Sequence, residues 1–473
     1  MRTRDPAGSR DSALAPLRHR PFRYLAIGRA ATMLGNAVAP IALAFAVLDL
    51  TGSVRDLGLV VGARSLTHVL FLLFGGVLAD RLPRQAVMVV SCTLAAVTQA
   101  AVAALVLTGS ATIPALIALS ALNGVLAAFA WPAAAALVPQ TVPAELLQSA
   151  NALNRLGTNA AMIGGASLGG VLVAGVGPGW GLAVDAGTFA LAGLAFAGVR
   201  VAPVARRAAA ERGNPLRDLR EGWTEFVARS WVWVVVLGFL LINFAYTSSV
   251  NVLGPAVADE TIGRTAWGLV LAAQTAGMVL GALVALRIRI RRLLLLGVFC
   301  MFADVLLLLG LAWVPSVAVL LVAAVVAGLA VEQFSVAWET SMQQNIPADR
   351  LARVYSYDAL GSFLAIPLGQ IAIGPLAETI GDRSTLLVAA GIVFVAVLGM
   401  LADPGVRGLS AHLPTREGTP AGEGTPTSKG TRLFAETPAP AESPVAGALP
   451  PSTRASSESG GAPVGGGPAA ENV

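Results

Sequence analysis

Few side chains in this sequence can do chemistry, and most of those lie where charge is expensive. Glu332 ends an apolar run, Val317 to Val331, that contains no other charged or amide side chain. A charged group in the middle of a membrane-length stretch costs about 2.5–3.5 kcal/mol even on the gentlest insertion scales. Such a carboxylate is kept for what it can do: exchange a proton, bind substrate, or take part in a structural ion pair. Glu339, seven residues on, falls on roughly the same helical face. Arg29, Asn36, Asn123, Asn243 and Tyr246 are further polar groups inside apolar stretches, placed where they can line a cavity with hydrogen-bonding groups. Arg64 and His68 are four apart and share a face; snorkelling to the nearer interface or pairing with an acid is the expected use of Arg64. Arg29 can snorkel in the opposite direction. Asp304 is an isolated acid to which the sequence assigns no role.

Other chemistries are poorly supplied. The histidines are His19, His68 and His412 and the cysteines Cys92 and Cys300, with no metal-ligand spacing among them. A disulfide framework, a metal site and a nucleotide-binding motif are therefore not expected. A membrane-embedded enzyme, such as a lipid-modifying transferase, would need a reactive cluster that this pattern lacks.

The elements that must position these residues are membrane spans. The 473 residues are 55% apolar and only 12% charged, with a mean hydropathy of +0.72. That balance places the chain in a bilayer rather than in water. Twelve apolar stretches of about 20 residues, the length a ~30 Å hydrocarbon core demands, run over 24–48, 57–79, 86–108, 113–138, 152–175, 180–199, 231–255, 267–286, 293–313, 316–345, 355–377 and 384–402. The basic start (Arg2 to Arg23) followed by a long apolar stretch reads as an uncleaved first helix. With the amino terminus inside, the outer loops hold Arg55, Arg264 and Arg383, and nearly all other loop arginines fall inside, including the run from Arg200 to Arg229. The positive-inside rule then puts both termini in the cytoplasm. The basic balance reports topology and contact with the inner leaflet, and no nucleic-acid partner is expected.

The second half repeats the first at a nearly constant offset: Gly58-Leu-Val-Val with Gly268-Leu-Val-Leu, Cys92 with Cys300, Trp131 with Trp338, Asn151-Ala-Leu with Asp358-Ala-Leu. Two parallel six-helix repeats follow, an architecture used by secondary transporters with a midplane site. The domains are a basic segment 1–23, a six-helix bundle 24–199, a basic linker 200–230, a second bundle 231–402, and a tail 403–473. Rich in Pro, Gly, Ser and Thr, the tail is expected to be disordered and cytoplasmic.

The stretch Gly75-Gly-Val-Leu-Ala-Asp-Arg-Leu-Pro-Arg84 sits between the second and third spans. Gly76, Asp80, Arg81 and Arg84 in this spacing resemble the signature loop of the major facilitator superfamily, with Pro83 in place of a second glycine. Pro139 to Leu153, Val184 to Phe189 and Ala337 to Pro347 resemble the efflux branch that includes macrolide exporters and the enterobactin exporter. Gly165-Ala-Ser-Leu-Gly-Gly170 is similar to the antiporter motif of the fifth helix, with Ala166 where that motif has proline. Many proton-coupled exporters carry an arginine on the fourth helix where this chain has Ser120.

The resemblance implies an all-α membrane protein of twelve transmembrane helices in the major facilitator fold, in the plasma membrane. It implies alternating access, a conformational latch at Gly76, Asp80, Arg81 and Arg84, and a helix contact at Gly165, Gly169 and Gly170. It places Glu332 on a cavity-lining tenth helix. The expected function is export of small amphipathic molecules, drug, antibiotic or siderophore-like, driven by an ion gradient of protons rather than by a cofactor. The expected partners are a small-molecule substrate and the lipid bilayer, with the chain acting as a monomer. An uptake permease of the same fold is the alternative.

Overall fold

The computed structural model describes residues 14–200 and 223–410, apart from 225, 286, 288, 289 and 315. Its side chains at 73–81, 131–132, 135–136, 144, 148, 348–349, 352–353 and 356 also lie outside the description. Among the described residues there are twelve helical crossings: α1 (Arg20–Thr51), α2 (Val54–Arg81), α3 (Arg84–Leu107), α4 (Ile113–Leu137), α5 (Leu147–Val176), α6 (Pro178–Ala197), α7 (Ser230–Glu260), α8 (Arg264–Ala285), α9 (Leu293–Trp313), α10 (Val317–Asn345), α11 (Ala348–Phe363, continued past Leu364 by Ala365–Ile380) and α12 (Asp382–Ala402). Helices alone satisfy every backbone N–H and C=O within one segment, which hydrocarbon requires. Eleven are apolar and long enough to cross by composition among the described residues. The remaining one, α2, contains the apolar run 57–79, whose last part lies outside the described side chains, and packs between α4 and α11. The crossings match the expected twelve spans and outlast several of them. Thus α1 extends the 24–48 run to Arg20 and Thr51, since helical hydrogen bonding continues where side chains turn polar.

Because the number of crossings is even, α1 begins and α12 ends on one face of the bundle, here the terminal face. Chain reversals on the opposite face are short and built on glycine. Gly52, Gly109, Gly177, Gly263 and Gly381 adopt φ values between 65° and 93°, a left-handed region that a Cβ disfavours. Gly52 and Gly263 close equivalent turns of the two repeats, as do Gly177 and Gly381. On the terminal face, Asp403 caps a short helix, Pro404–Gly408, by accepting a hydrogen bond from the Val406 amide at 3.0 Å. Beyond residue 410 the expected tail lies outside the described residues, as does most of the linker.

Each half is held by close helix crossings. In the first, α2 packs on α4, where Gly124 faces the Arg64 carbonyl and the Thr67 hydroxyl; Thr67 also donates to the Ala121 carbonyl at 2.7 Å. In the second, the related pair α8 and α10 places Gly277 against the Val325 carbonyl and Gly328 against the Gln274 carbonyl. The halves meet along two seams, α5 with α8 and α2 with α11. At the α5–α8 seam a Cβ added to Gly268 would stand 2.6 Å from the Ala166 carbonyl oxygen and 2.8 Å from Gly170 Cα, and one added to Gly170 would stand 3.0 Å from the carbonyls of Arg264 and Thr265. At the other seam Gly58 faces the Gln370 carbonyl, and Gly374 the backbone of Val54 and Arg55. All these contacts lie toward the opposite face, so the halves are closed there.

Lipid supplies no hydrophobic drive for helix association, so such backbone proximity is what joins the halves. Gly268→Leu is expected to wedge the seam. Overpacking of this kind costs about 1–3 kcal/mol, read as a lowered melting temperature and as a longer distance between spin labels at Thr51 and Thr379. An unchanged distance distribution would show that the glycine contact does not hold the face shut.

Candidate functional site

A cavity of about 740 Å³ lies mainly in the first half, between α1, α2, α3, α4, α5 and α6, and is completed by Ala359, Phe363 and Ile366 of α11. Met88, Ala134 and Phe196, close to the terminal-face ends of their helices, line it, so it extends toward that face. Its wall is largely apolar (Met33, Leu72, Leu126, Met162, Phe189), with Arg29, Asn36, Arg64, His68 and Asn123 supplying polar groups.

Of the residues expected to form a cavity, the fold gathers Arg29, Asn36 and Asn123 here and adds Arg64. The Arg64 side chain neither snorkels out nor forms an ion pair among the described residues. Its Nε donates to Asn123 Oδ1 at 3.1 Å and its Nη2 to Asn36 Oδ1 at 3.3 Å. A guanidinium within a membrane-spanning bundle must spend its donors on something, and two amide oxygens on neighbouring helices meet that need without removing its charge. The Arg29 guanidinium reaches the Ala134 carbonyl at 3.4 Å. Although α4 has Ser120 where an arginine was considered, a cation stands beside that helix through Arg64 of α2.

Behind this wall, and absent from the sequence-based set of candidates, Asp185 of α6 is fully buried and accepts a hydrogen bond from Gln99 Nε2 through Oδ2, while Gly35 leaves room for its other oxygen. The available signal was an acid in an otherwise uncharged span, the same signal that singled out Glu332.

Asn243, Tyr246, Glu332 and Glu339 do not line this cavity. α7 belongs to the second half, contributes nothing to the cavity lining among the described residues, and turns π-helical over Asn243–Thr247 and Ser249–Leu253. Asn243 instead donates to the Ser362 carbonyl at 2.9 Å, beside the break in α11, and the Tyr246 hydroxyl accepts from Gln274 at 2.8 Å. Asp304 is fully buried on α9, and among the described residues neither carboxylate oxygen meets a hydrogen-bond partner.

Glu332, 5% exposed, accepts a hydrogen bond at 2.9 Å from Arg155 Nη2 of α5, whose side chain is 69% exposed. The pair joins the two halves toward the terminal end of the seam that Gly170 and Gly268 close at the other end; Gly281 of α8 packs on the Glu332 Cβ. Glu339 is exposed. Gly165 and Gly169 pack on Leu34, Ala37 and Val38 of α1, within the first half, whereas Gly170 faces α8. Of the loop residues, Gly76, Asp80 and Arg81 belong to the last turns of α2 with side chains outside the description, and Arg84 begins α3.

On the opposite face Arg264, at the start of α8, donates to Asp49 of α1 at 2.5 and 2.9 Å and to Asp259 of α7 at 2.7 and 2.9 Å, and its guanidinium lies 4.8 Å from the Phe45 ring centroid. Ser53 also reaches Glu378 at 3.4 Å. These bonds tie the halves where the glycine seams bring them together.

Two six-helix halves that touch at one face, with a cavity mainly in the first half that extends to the other face, have the architecture of a membrane transporter. A family model described as the Major Facilitator Superfamily matches residues 25–369, and the chain belongs to that superfamily. It is 27% identical over 366 residues to the multidrug efflux pump Tap of Mycolicibacterium fortuitum, covering 75% of this chain and 88% of that protein. Among solved structures, the D323A mutant of the nucleoside transporter NupG superposes with a TM-score of 0.68 at 16% identity, covering 81% of this chain and 99% of that one. A bacterial homologue of the human lysosomal transporter Spinster, inward-facing and unoccupied, gives 0.65 at 15% identity, covering 82% and 97%. These two likenesses concern the fold. Membership of a transporter family agrees with the expectation that the chain is a transporter rather than a membrane-embedded enzyme.

Arg264→Gln removes the tie between Asp49 and Asp259. Partly exposed pairs contribute up to about 1 kcal/mol, so the closed-to-open ratio at the opposite face is expected to fall by up to about fivefold. Accessibility of a cysteine placed at Ala273, on α8, to a reagent that does not cross the membrane measures this, and unchanged labelling would count against the tie.

Proposed function

We propose that this chain exports small amphipathic molecules across the plasma membrane by alternating access in exchange for protons. The observation that carries the proposal is the geometry: a mostly apolar cavity extending to the terminal face, with the opposite face closed. The positive-inside rule makes the terminal face cytoplasmic, so the cavity loads from inside the cell. The relation to a multidrug efflux pump supports the same direction.

The Arg155–Glu332 pair is the proposed coupling element. It is a charged link between halves, and protonation of Glu332 removes one charge and releases Arg155, which is exposed enough to turn to solvent. One protonation state thus joins the halves at that level and the other frees them. The loop at Gly76, Asp80, Arg81 and Arg84 is proposed as the latch of the alternate state, confined to the first half because the equivalent of Asp80 is Ile290.

Cells with and without the gene, exposed to a panel of antibiotics, dyes and siderophores before and after collapse of the proton gradient, test the proposal. Lower accumulation that vanishes on collapse is expected; uptake in place of efflux would overturn the direction. In vesicles with an imposed pH gradient, Glu332→Gln is expected to lower gradient-driven transport at least tenfold while downhill substrate exchange continues. Normal gradient-driven transport would remove Glu332 from coupling. Asp80→Asn is expected to slow cycling severalfold with insertion and substrate affinity retained, and loss of insertion would reduce the loop to a structural turn.

A further inference from the structure

The cavity has a sign. Arg29, Arg64 and His68 line it, and among the described residues lining it there is no Asp or Glu. Burial in a membrane protein ordinarily pairs a cation with an acid. Here the bonded partners are neutral: Arg64 uses Nε and Nη2 on two asparagine oxygens, and Arg29 reaches one backbone carbonyl. A guanidinium carries five N–H donors in a planar fork suited to an oxyanion, so Arg64 keeps donors for a ligand while its amide partners hold its orientation. Asp185 stands behind the wall, bonded by Gln99; its charge is felt by Arg64, but among the described residues the two form no ion pair and Asp185 does not line the cavity, so Arg64 meets a ligand without an acid in contact. Glu332 and Glu339 lie elsewhere.

The three basic groups are also ordered in depth. α2 descends toward the terminal face, so His68 lies one turn nearer that face than Arg64. α1 runs the other way, and Arg29 precedes Asn36, a partner of Arg64, by seven residues. Seven residues of helix rise about 10 Å. An anion entering from the terminal face meets Arg29 first and reaches His68 and Arg64 below it. Around them Met33, Leu72, Met162, Phe189 and Phe363 offer an apolar and aromatic wall. For a cationic ligand the wall supplies only aromatic faces, a weaker attraction than a carboxylate would provide, set against two guanidinium groups of like charge.

We propose that the cavity selects amphipathic anions, seating a carboxylate, sulfonate or phosphate group on Arg64 with Arg29 and His68 and the hydrophobic body against the Met and Phe wall. This rests on the cavity being the transport site, and is independent of the direction of transport and of proton coupling.

The test uses the purified full-length chain in neutral detergent and two probes with one body and opposite charge, 6-(2-naphthyl)hexanoate and 6-(2-naphthyl)hexylammonium, with binding measured by equilibrium dialysis. The carboxylate is expected to bind at least about tenfold more tightly, the scale of one hydrogen-bonded charge pair. Arg64→Gln is expected to abolish that preference by weakening the carboxylate about tenfold or more while sparing the ammonium probe, and Arg64→Lys to restore part of it. If Arg64→Gln does not elute as a folded monodisperse protein, Arg29→Gln carries the test, since its one long hydrogen bond makes it the less structural residue; a threefold or greater loss for the carboxylate alone is expected. Equal or tighter binding of the ammonium probe, or carboxylate binding indifferent to the variant tested, overturns the proposal. Phosphatidylglycerol and phosphatidylcholine are then titrated into the micelles. Displacement of the carboxylate by phosphatidylglycerol alone identifies a lipid headgroup as an occupant of the anion seat, and displacement by neither identifies a free anion. Equal displacement by both places the probe on apolar surface and overturns the seat. The assay involves no gradient, so Arg64-dependent binding without export in vesicles would remove the exporter reading and leave the anion seat, whereas export of the ammonium probe alone would do the reverse.

Discussion

In hydrocarbon, a hydrogen-bonding group without a partner is more costly than in any aqueous setting, and the structure is organised around meeting that demand. The backbone meets it locally, by being helical throughout the crossings. Hydroxyls such as Thr32, Ser167, Thr275 and Ser335 meet it on the carbonyl one turn back in their own helix, whereas several of the larger polar side chains meet it through other helices. Arg64 of α2 finds Asn36 of α1 and Asn123 of α4, Asp185 of α6 finds Gln99 of α3, and Glu332 of α10 finds Arg155 of α5. Each of these bonds fixes the rotation of two helices about their axes, because a single misplaced face would leave both partners unsatisfied.

The same solvent takes away the hydrophobic drive that assembles a soluble bundle. Contact between helices then depends on how closely backbones approach, and glycine sets that limit. On α5 the division of labour is visible within one short stretch: Gly165 and Gly169 seat α1 inside the first half, while Gly170 meets Gly268 across the boundary between halves. A contact of bare backbones has little side-chain interlocking to undo. Specificity of the closed face is left to the few charged ties beside it, Arg264 with Asp49 and Asp259.

Polar satisfaction and charge balance are separate matters in the cavity. Asn36 and Asn123 hold Arg64 by hydrogen bonds yet leave its positive charge in place, whereas a carboxylate in the same position would have neutralised it. An apolar chamber whose guanidinium is bonded only to neutral groups among the described residues differs chemically from one with a closed ion pair, and a low-dielectric setting enlarges the difference.

Much of this architecture was legible in the order of residues. Length and apolarity of the runs determined twelve crossings; the nearly constant offset between matching segments revealed two related halves; and the motif from Gly165 to Gly170 marked a helix contact. These are local or periodic properties, and local hydrogen bonding is enough to realise them. The fate of the polar side chains was not legible in that way. Arg64 was read toward the interface or an acid and lies instead between two asparagines. Glu332 found its partner 177 residues away. Asn243 and Tyr246 stand outside the cavity because it opens mainly within the first half, and they bond instead to α11 and α8. Which residue faces which depends on the rotation and crossing of whole helices, set by glycine contacts distributed over the entire chain, and only the assembled bundle decides it.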